Sequence, residues 1–222
     1  MSRRLVVLTA GLSQPSSTRL LADRLADAVR AQVTARGESL EVEVVEVREL
    51  AHDLATTMTT GGMPTPAVAK AREAVSAADG LIAVTPVFTA SYSGLFKMFM
   101  DVLNTDALNG MPVIIAATAG TERHQLVLDH ALRPLFTYLR AVVVPTGVFA
   151  ATSDFGGEGS DGLGRRIARA ATELASLLVA EQGSVAGFVP EVEPTRRRSS
   201  GTRPDQEVAD FGDLLAELGQ TH

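Results

Sequence analysis

The chain has 222 residues, 45% of them hydrophobic and 21% charged, a composition that supports one sizeable buried core. Its formal charge of −6 and pI near 5.3 leave no basic footprint, which argues against nucleic acid as a partner. With no cysteine, disulfides, thiolate metal sites and thiol catalysis are excluded, and a reducing cytoplasm is the expected compartment.

The start, Met1-Ser2-Arg3-Arg4, precedes an apolar run over residues 5–10 that is too short for a secretory leader. No stretch approaches the roughly 18 apolar residues of a membrane span. A soluble chain with no membrane partner is expected.

Residues 4–9 read as a first strand. The stretch Gly11-Leu12-Ser13-Gln14-Pro15-Ser16-Ser17-Thr18 follows, and then an amphipathic segment. Strand, hydroxyl-rich turn and helix start in that order can hold a phosphate. Backbone N–H groups and hydroxyls donate, and the helix N-terminus adds a favourable dipole. The turn contains no lysine and has neither the Gly-x-Gly-x-x-Gly spacing nor a Gly-Lys-Ser/Thr ending. A dinucleotide fingerprint or a triphosphate loop is therefore disfavoured, and a phosphate monoester such as the tail of flavin mononucleotide (FMN) fits better. An N-capped helix behind a polar loop would read the same way.

The first helix covers 17–36, with Leu21, Leu25, Val29 and Val33 at spacing four and Gly37 as its stop. Residues 41–47 alternate Glu and Val, as an edge strand with one wet face would. A helix over 66–78 begins with Thr65 as cap and Pro66 at its first position. Strands at 80–85, 112–118 and 141–146 alternate with helices at 93–103, 123–140 and 161–181. Five β-α units of this kind predict a flavodoxin-like, doubly wound, five-stranded parallel sheet of order 2-1-3-4-5. Ligands of such sheets sit at the C-terminal strand ends near the first and third strands, so the loops at 13–18, 86–93 and 118–123 should converge.

The last part of the chain differs. A Gly/Pro-containing connector at 183–194 leads to the run Arg196-Arg197-Arg198-Ser199-Ser200-Gly201, read as solvated. A final helix at 204–218 carries Val208, Phe211, Leu214, Leu215 and Leu218 on one stripe, which must bury somewhere. The expected organisation is a 1–182 domain with a 183–222 extension.

The third-strand loop runs Thr85-Pro86-Val87-Phe88-Thr89-Ala90-Ser91-Tyr92-Ser93-Gly94-Leu95-Phe96-Lys97. Its proline, small polar residues and one flat aromatic suit a planar ring with polar edges; a surface loop with one buried aromatic is the alternative. The fourth-strand loop, Thr118-Ala119-Gly120-Thr121, lets main-chain N–H groups approach a ring edge where reduction builds negative charge.

Taken together, these segments resemble the NAD(P)H-dependent FMN reductases, especially those partnered with two-component flavin monooxygenases. The resemblance rests on Thr85 to Lys97, on Thr118-Ala119-Gly120-Thr121-Glu122-Arg123-His124, and on Asp129-His130-Ala131-Leu132-Arg133-Pro134. It extends through Gly147-Val148-Phe149-Ala150 and covers roughly residues 3–181. It implies FMN and NADPH or NADH as cofactors, hydride transfer to flavin N5, and a homodimer or homotetramer. It also implies a phosphate site at Ser13, Gln14, Ser16, Ser17 and Thr18. The ring and ribityl chain would lie on Pro86, Val87, Phe88 and Thr89, with Thr118, Ala119 and Gly120.

Two departures stand out. Ala119 replaces a frequent glycine, and His130 stands where relatives often carry tyrosine, in a helix that in them contains a π-type bulge. His124 and His130 do not share the i, i+4 spacing of a helical metal pair, and neither a metal site nor a Ser-His-Asp hydrolase is expected. His124 reads as a structural residue at a helix start. Arg19 and Arg123 are candidates for the 2′-phosphate of NADPH, or plain surface charges. Rival functions are a quinone, azo or chromate reductase on the same fold, an electron carrier of the flavodoxin type, and a scaffold that docks a partner through its C-terminal helix.

Overall fold

Strand β1 (Ser2–Thr9) is apolar on both faces because helices cover both. Leu5 and Val7 enter one core, and Val6, Leu8 and Ala10 enter the other. The computed structural model describes residues 2–156, 159–179 and 198–201 of the chain.

Helix α1 (Ser17–Thr34) starts at Ser16, whose hydroxyl accepts the Arg19 N–H at 3.2 Å, and buries Leu21, Leu25, Val29 and Val33. Strand β2 (Ser39–Glu46) alternates exposed and covered residues and pairs with β1 alone, as an edge strand should. A 3₁₀ turn (Val47–Leu50) leads into α2 (Ala51–Thr59), a helix with no counterpart in the sequence reading. Only Leu54 and Thr57 of α2 are buried, so its apolar stripe is too thin to register. Helix α3 (Pro66–Ala77) opens under the Thr65 hydroxyl, which accepts the Val68 N–H, with Pro66 in the first turn.

Strand β3 (Gly80–Phe88) runs beyond the predicted 80–85 because it turns back on itself and pairs with β4 (Ser91–Tyr92). Helix α4 (Gly94–Asp101) and strand β5 (Pro112–Ala119) follow. The helix predicted over 123–140 is instead composite. A 3₁₀ turn (Glu122–His124) and a π-helical segment (Leu128–Leu132) precede α5 (Arg133–Tyr138). Pro134 supplies the reason. It has no N–H to donate, and its ring crowds the carbonyl four residues back, so the preceding turn widens. The Arg133 N–H accordingly reaches the Leu128 carbonyl.

The single strand predicted at 141–146 is two short ones, β6 (Val142–Val143) and β7 (Val148–Ala151). Pro145 has no N–H for a ladder, and Thr146 gives both its N–H and its hydroxyl to Glu173, at 2.8 and 2.7 Å. The sheet has seven strands in all, and the five on its parallel path keep the expected 2-1-3-4-5 order. The parallel order is β2-β1-β3-β5-β6, with β7 also on β5 and β4 antiparallel to β3. This is the flavodoxin-like arrangement, with its switch point at β1 and β3.

Two cores flank the sheet. Phe96, Phe99 and Phe136 fill the one under α2 to α5. Helix α6 (Gly159–Leu178) closes the other against α1 with Leu163, Ala170, Ala171 and Leu174. No helix among the described residues is long and apolar enough to cross a membrane.

The connector at 183–194, the predicted helix at 204–218 and the end of the helix predicted over 161–181 lie outside the described residues. Of the basic run, residues 198–201 are described: Ser200 is buried, Arg198 and Ser199 are half-buried and Gly201 is exposed, so the run is only partly solvated. Arg198 donates to the Ala78 carbonyl, Arg72 of α3 donates to the Ser200 carbonyl, and Ser200 is buried.

Candidate active site

The chain leaves β1 at Thr9, and the Ala10 N–H bonds the Val84 carbonyl at 3.0 Å, holding the exit against β3. Gly11 then passes under the start of α1. A Cβ at Gly11 would overlap the Ser16 hydroxyl and stand 3.1 Å from the Thr18 Cβ, so only glycine fits the turn. Ser16 caps the helix, which leaves the N–H groups of Ser17 and Thr18 without intrahelical acceptors. Ser13, Gln14 and Ser17 are exposed, whereas Thr18 is buried. Its Oγ1 shares a 2.8 Å hydrogen bond with Thr118 Oγ1 at the end of β5.

The third-strand loop is clamped at its base. Thr85 Oγ1 accepts the Ser93 N–H at 3.0 Å, and Ser93 Oγ accepts the Phe96 N–H at 3.1 Å, capping α4. Above the clamp, Phe88 pairs with Ser91 across a two-residue turn. Both turn residues sit in the left-handed region, Thr89 at φ 48° and Ala90 at φ 63°. For a β-branched residue that is strained backbone. The turn leaves Phe88 47% exposed at its tip, a large apolar ring held out from the sheet. Pro86 and Thr118 are register neighbours in the β3–β5 ladder, and Ala119 ends β5 half-buried, followed by exposed Gly120.

The three predicted segments thus meet at one rim. Thr18, Pro86, Thr118 and Ala119 are in the shared floor, while Ser13, Gln14, Phe88, Thr89 and Gly120 stand outward on its edges. Sequence reasoning missed the packing role of Gly11 and the Thr85–Ser93 clamp, whose only signal was a hydroxyl at the strand end and another at the helix cap. It also missed Thr9, which buries a hydroxyl with no hydrogen-bond partner among the described residues where β1 feeds the turn.

Beside the turn lies a network of charges. The Gln14 carboxamide oxygen accepts from Arg48 Nη1 at 2.8 Å, and Arg48 Nε donates to Glu46 Oε2 at 2.9 Å. Arg19 bridges Glu46 and Asp23, and its hydrogen bond to Asp23 raises the guanidinium above its ordinary pKa. These pairings direct Arg19 at carboxylates rather than at a nicotinamide 2′-phosphate. A cavity of about 310 Å³ opens here, lined by Ser13, Gln14, Ser16, Arg19, Glu46 and Arg48 among others. Arg123, His124 and His130 are exposed, the last on the π-helical segment. His124 sits in the 3₁₀ turn rather than at the start of an α-helix.

A family model described as NADPH-dependent FMN reductase matches residues 3–156, from β1 through the turn after β7. The chain belongs to that family. The FMN reductase is an NAD(P)H:FMN oxidoreductase, and its cofactors are FMN with a reduced nicotinamide dinucleotide. An FMN reductase (NADPH) of Pseudomonas aeruginosa is 38% identical over 154 residues, 68% of this reductase and 78% of the relative. The NADH-dependent FMN reductase SfnE of Pseudomonas putida is 40% identical over 149 residues, 67% and 77% of the two chains. A solved oxidoreductase from Corynebacterium diphtheriae superposes with a TM-score of 0.78 at 62% identity, covering 81% of this reductase and 98% of that chain.

Proposed function

We propose that this reductase makes reduced FMN for a separate flavin-dependent monooxygenase, holding the flavin phosphate on residues 13–18. In this reading the ring and ribityl chain rest on Pro86, Val87, Phe88, Thr89, Thr118, Ala119 and Gly120. The observation that carries it is the Thr18–Thr118 hydrogen bond, which ties the turn after β1 to the end of β5. The turn suits an anion: no acidic residue lies in the first turn of α1, the N–H groups of Ser17 and Thr18 have no intrahelical acceptor, and the buried Thr9 hydroxyl has no hydrogen-bond partner among the described residues.

When bound, FMN supplies the hydride acceptor, so the chain itself needs no nucleophile or metal for that step. Ser17 and Thr18 would bind the phosphate through backbone N–H groups, with the Ser13, Ser16 and Ser17 hydroxyls and the Gln14 amide around them. Main-chain N–H groups at Ala119 and Gly120 would stabilise charge that develops on the ring on reduction. The hairpin of Phe88 supplies an apolar wall that limits water. The supply role draws on the likeness of residues 85–97 and 118–134 to monooxygenase-partnered reductases. A homodimer or homotetramer is part of the proposal, supported by apolar side chains left outward around the π-helical segment, Leu126 at 58% and Tyr138 at 76% exposure.

The test is anaerobic mixing of the purified protein with FMN and NADPH or NADH. Nicotinamide oxidation should accompany flavin bleaching. Turnover no faster than the uncatalysed rate with both nicotinamides overturns the reading. A panel of acceptors checks the supply role: strong preference for a quinone or azo dye over free FMN would overturn it.

A further inference from the structure

We propose that the cavity beside the phosphate turn holds the adenosine half of the nicotinamide dinucleotide, and that Glu46 and Asp23 make this reductase select NADH over NADPH. The inference rests on the FMN reductase reading above and adds the choice of electron donor to it. The cavity opens between the first two turns of α1 and the end of β2. Glu46 is the register partner of Thr9, the residue from which β1 feeds the turn. In the order β2-β1-β3-β5, Glu46 stands two strands from Pro86 and three from Thr118. At about 4.8 Å per strand the separation is roughly 10 to 14 Å, a reach that a dinucleotide covers with its nicotinamide over the flavin ring.

The lining matches an adenosine whose ribose carries no phosphate. Pro15 and Leu20 give an apolar wall for the purine, and Leu20 is 44% exposed although it stands beside the turn. Across from it, Glu46 and Asp23 present carboxylate oxygens, which only accept hydrogen bonds and so suit the two hydroxyls of a ribose diol. The charges in the cavity cancel. Arg19 donates to Asp23 at 2.8 Å and to Glu46, while Arg48 donates to Glu46 at 2.9 Å and to the Gln14 carboxamide at 2.8 Å. Two guanidiniums thus face two carboxylates, and neither cation is left over for a further anion. A 2′-phosphate would have to break one of these pairs and then lie against the released carboxylate. A 2′-hydroxyl meets no such repulsion, so the selection acts by rejecting NADPH.

Two readouts test this on the full chain with saturating FMN. In turnover, kcat/KM for NADH should exceed that for NADPH by at least about tenfold. Equal or reversed values overturn the proposal, whereas flavin bleaching by either donor leaves the FMN reductase reading standing. Calorimetric titration with the oxidised dinucleotides reads binding without turnover, and NAD+ should bind at least about tenfold more tightly than NADP+. Equal affinities, or no binding of either, overturn the proposal. Leu20→Glu should weaken NAD+ by at least about tenfold, and unchanged NAD+ affinity overturns the placement of the adenosine. Glu46→Gln and Asp23→Asn should each narrow the gap between NAD+ and NADP+ by at least about threefold. Glu46 also holds two arginines, so Asp23→Asn reads the charge with less disturbance of the turn. A gap unchanged in both variants overturns the role of the carboxylates.

Discussion

Thr18 and Thr118 stand on different elements, yet each satisfies the other's buried hydroxyl. Thr18→Val leaves the Thr118 hydroxyl without its partner and should cost about 1–3 kcal/mol. In a chain of this size each kcal/mol lowers Tm by about 2–4 °C, readable by thermal melting. FMN should bind at least about tenfold more weakly, which is about 1.4 kcal/mol, and Thr18→Ser should restore most of it. A melting loss with unchanged FMN affinity would detach the pair from the flavin site. Gly11→Ala pushes Ser16 off its capping position. Loss of the cap costs about 1 kcal/mol, and the FMN fluorescence titration should weaken alongside the melting temperature. The hydroxyls of the turn were legible because a helix start must cap its own N–H groups. The requirement for glycine at 11 was not, since it arises only when α1 folds back over the strand exit.

The hairpin at 88–91 places Thr89 and Ala90 where residues with a Cβ are strained. Replacing them by Asn-Gly, the pair that a turn with two left-handed residues prefers, should stabilise the protein by about 1 kcal/mol. The denaturant midpoint should rise with unchanged slope, because the Val87–Tyr92 register is kept. No gain in midpoint would place the strain elsewhere. At this scale the long strands and helices were readable from periodicity, since both faces of β1, β3 and β5 are covered. Two features escaped for separate reasons: helix α2 buries too little, and the last strand is divided by Pro145 and Thr146. Periodicity did not show the π turn before Pro134 either; only the family resemblance around His130 pointed to it.

Taken whole, the molecule puts α1 and α6 on one face of the sheet, and the phosphate turn is the N-terminal end of α1. Leu174 is fully buried between them. Leu174→Ala should remove about 2–5 kcal/mol, a large share of the roughly 5–15 kcal/mol that holds a domain together. Urea unfolding measures it, and added FMN should recover part of the loss by mass action, about 2.7 kcal/mol at a hundred times its Kd. The sequence order of elements foretold this layering, whereas the placement of residues 198–201 on α3 depends on contacts far apart along the chain. The division of the last strand has a further effect. Arg166 of α6 donates to the Phe149 carbonyl at 3.2 Å, and Asp154 accepts the Ala151 N–H at 2.8 Å. The outward backbone of β7 is therefore already occupied by side chains, β6 is only two residues long, and the opposite margin is studded with the glutamates of β2. Neither border offers a bare ladder for a foreign strand to zip onto, so concentrated solutions should resist fibril growth.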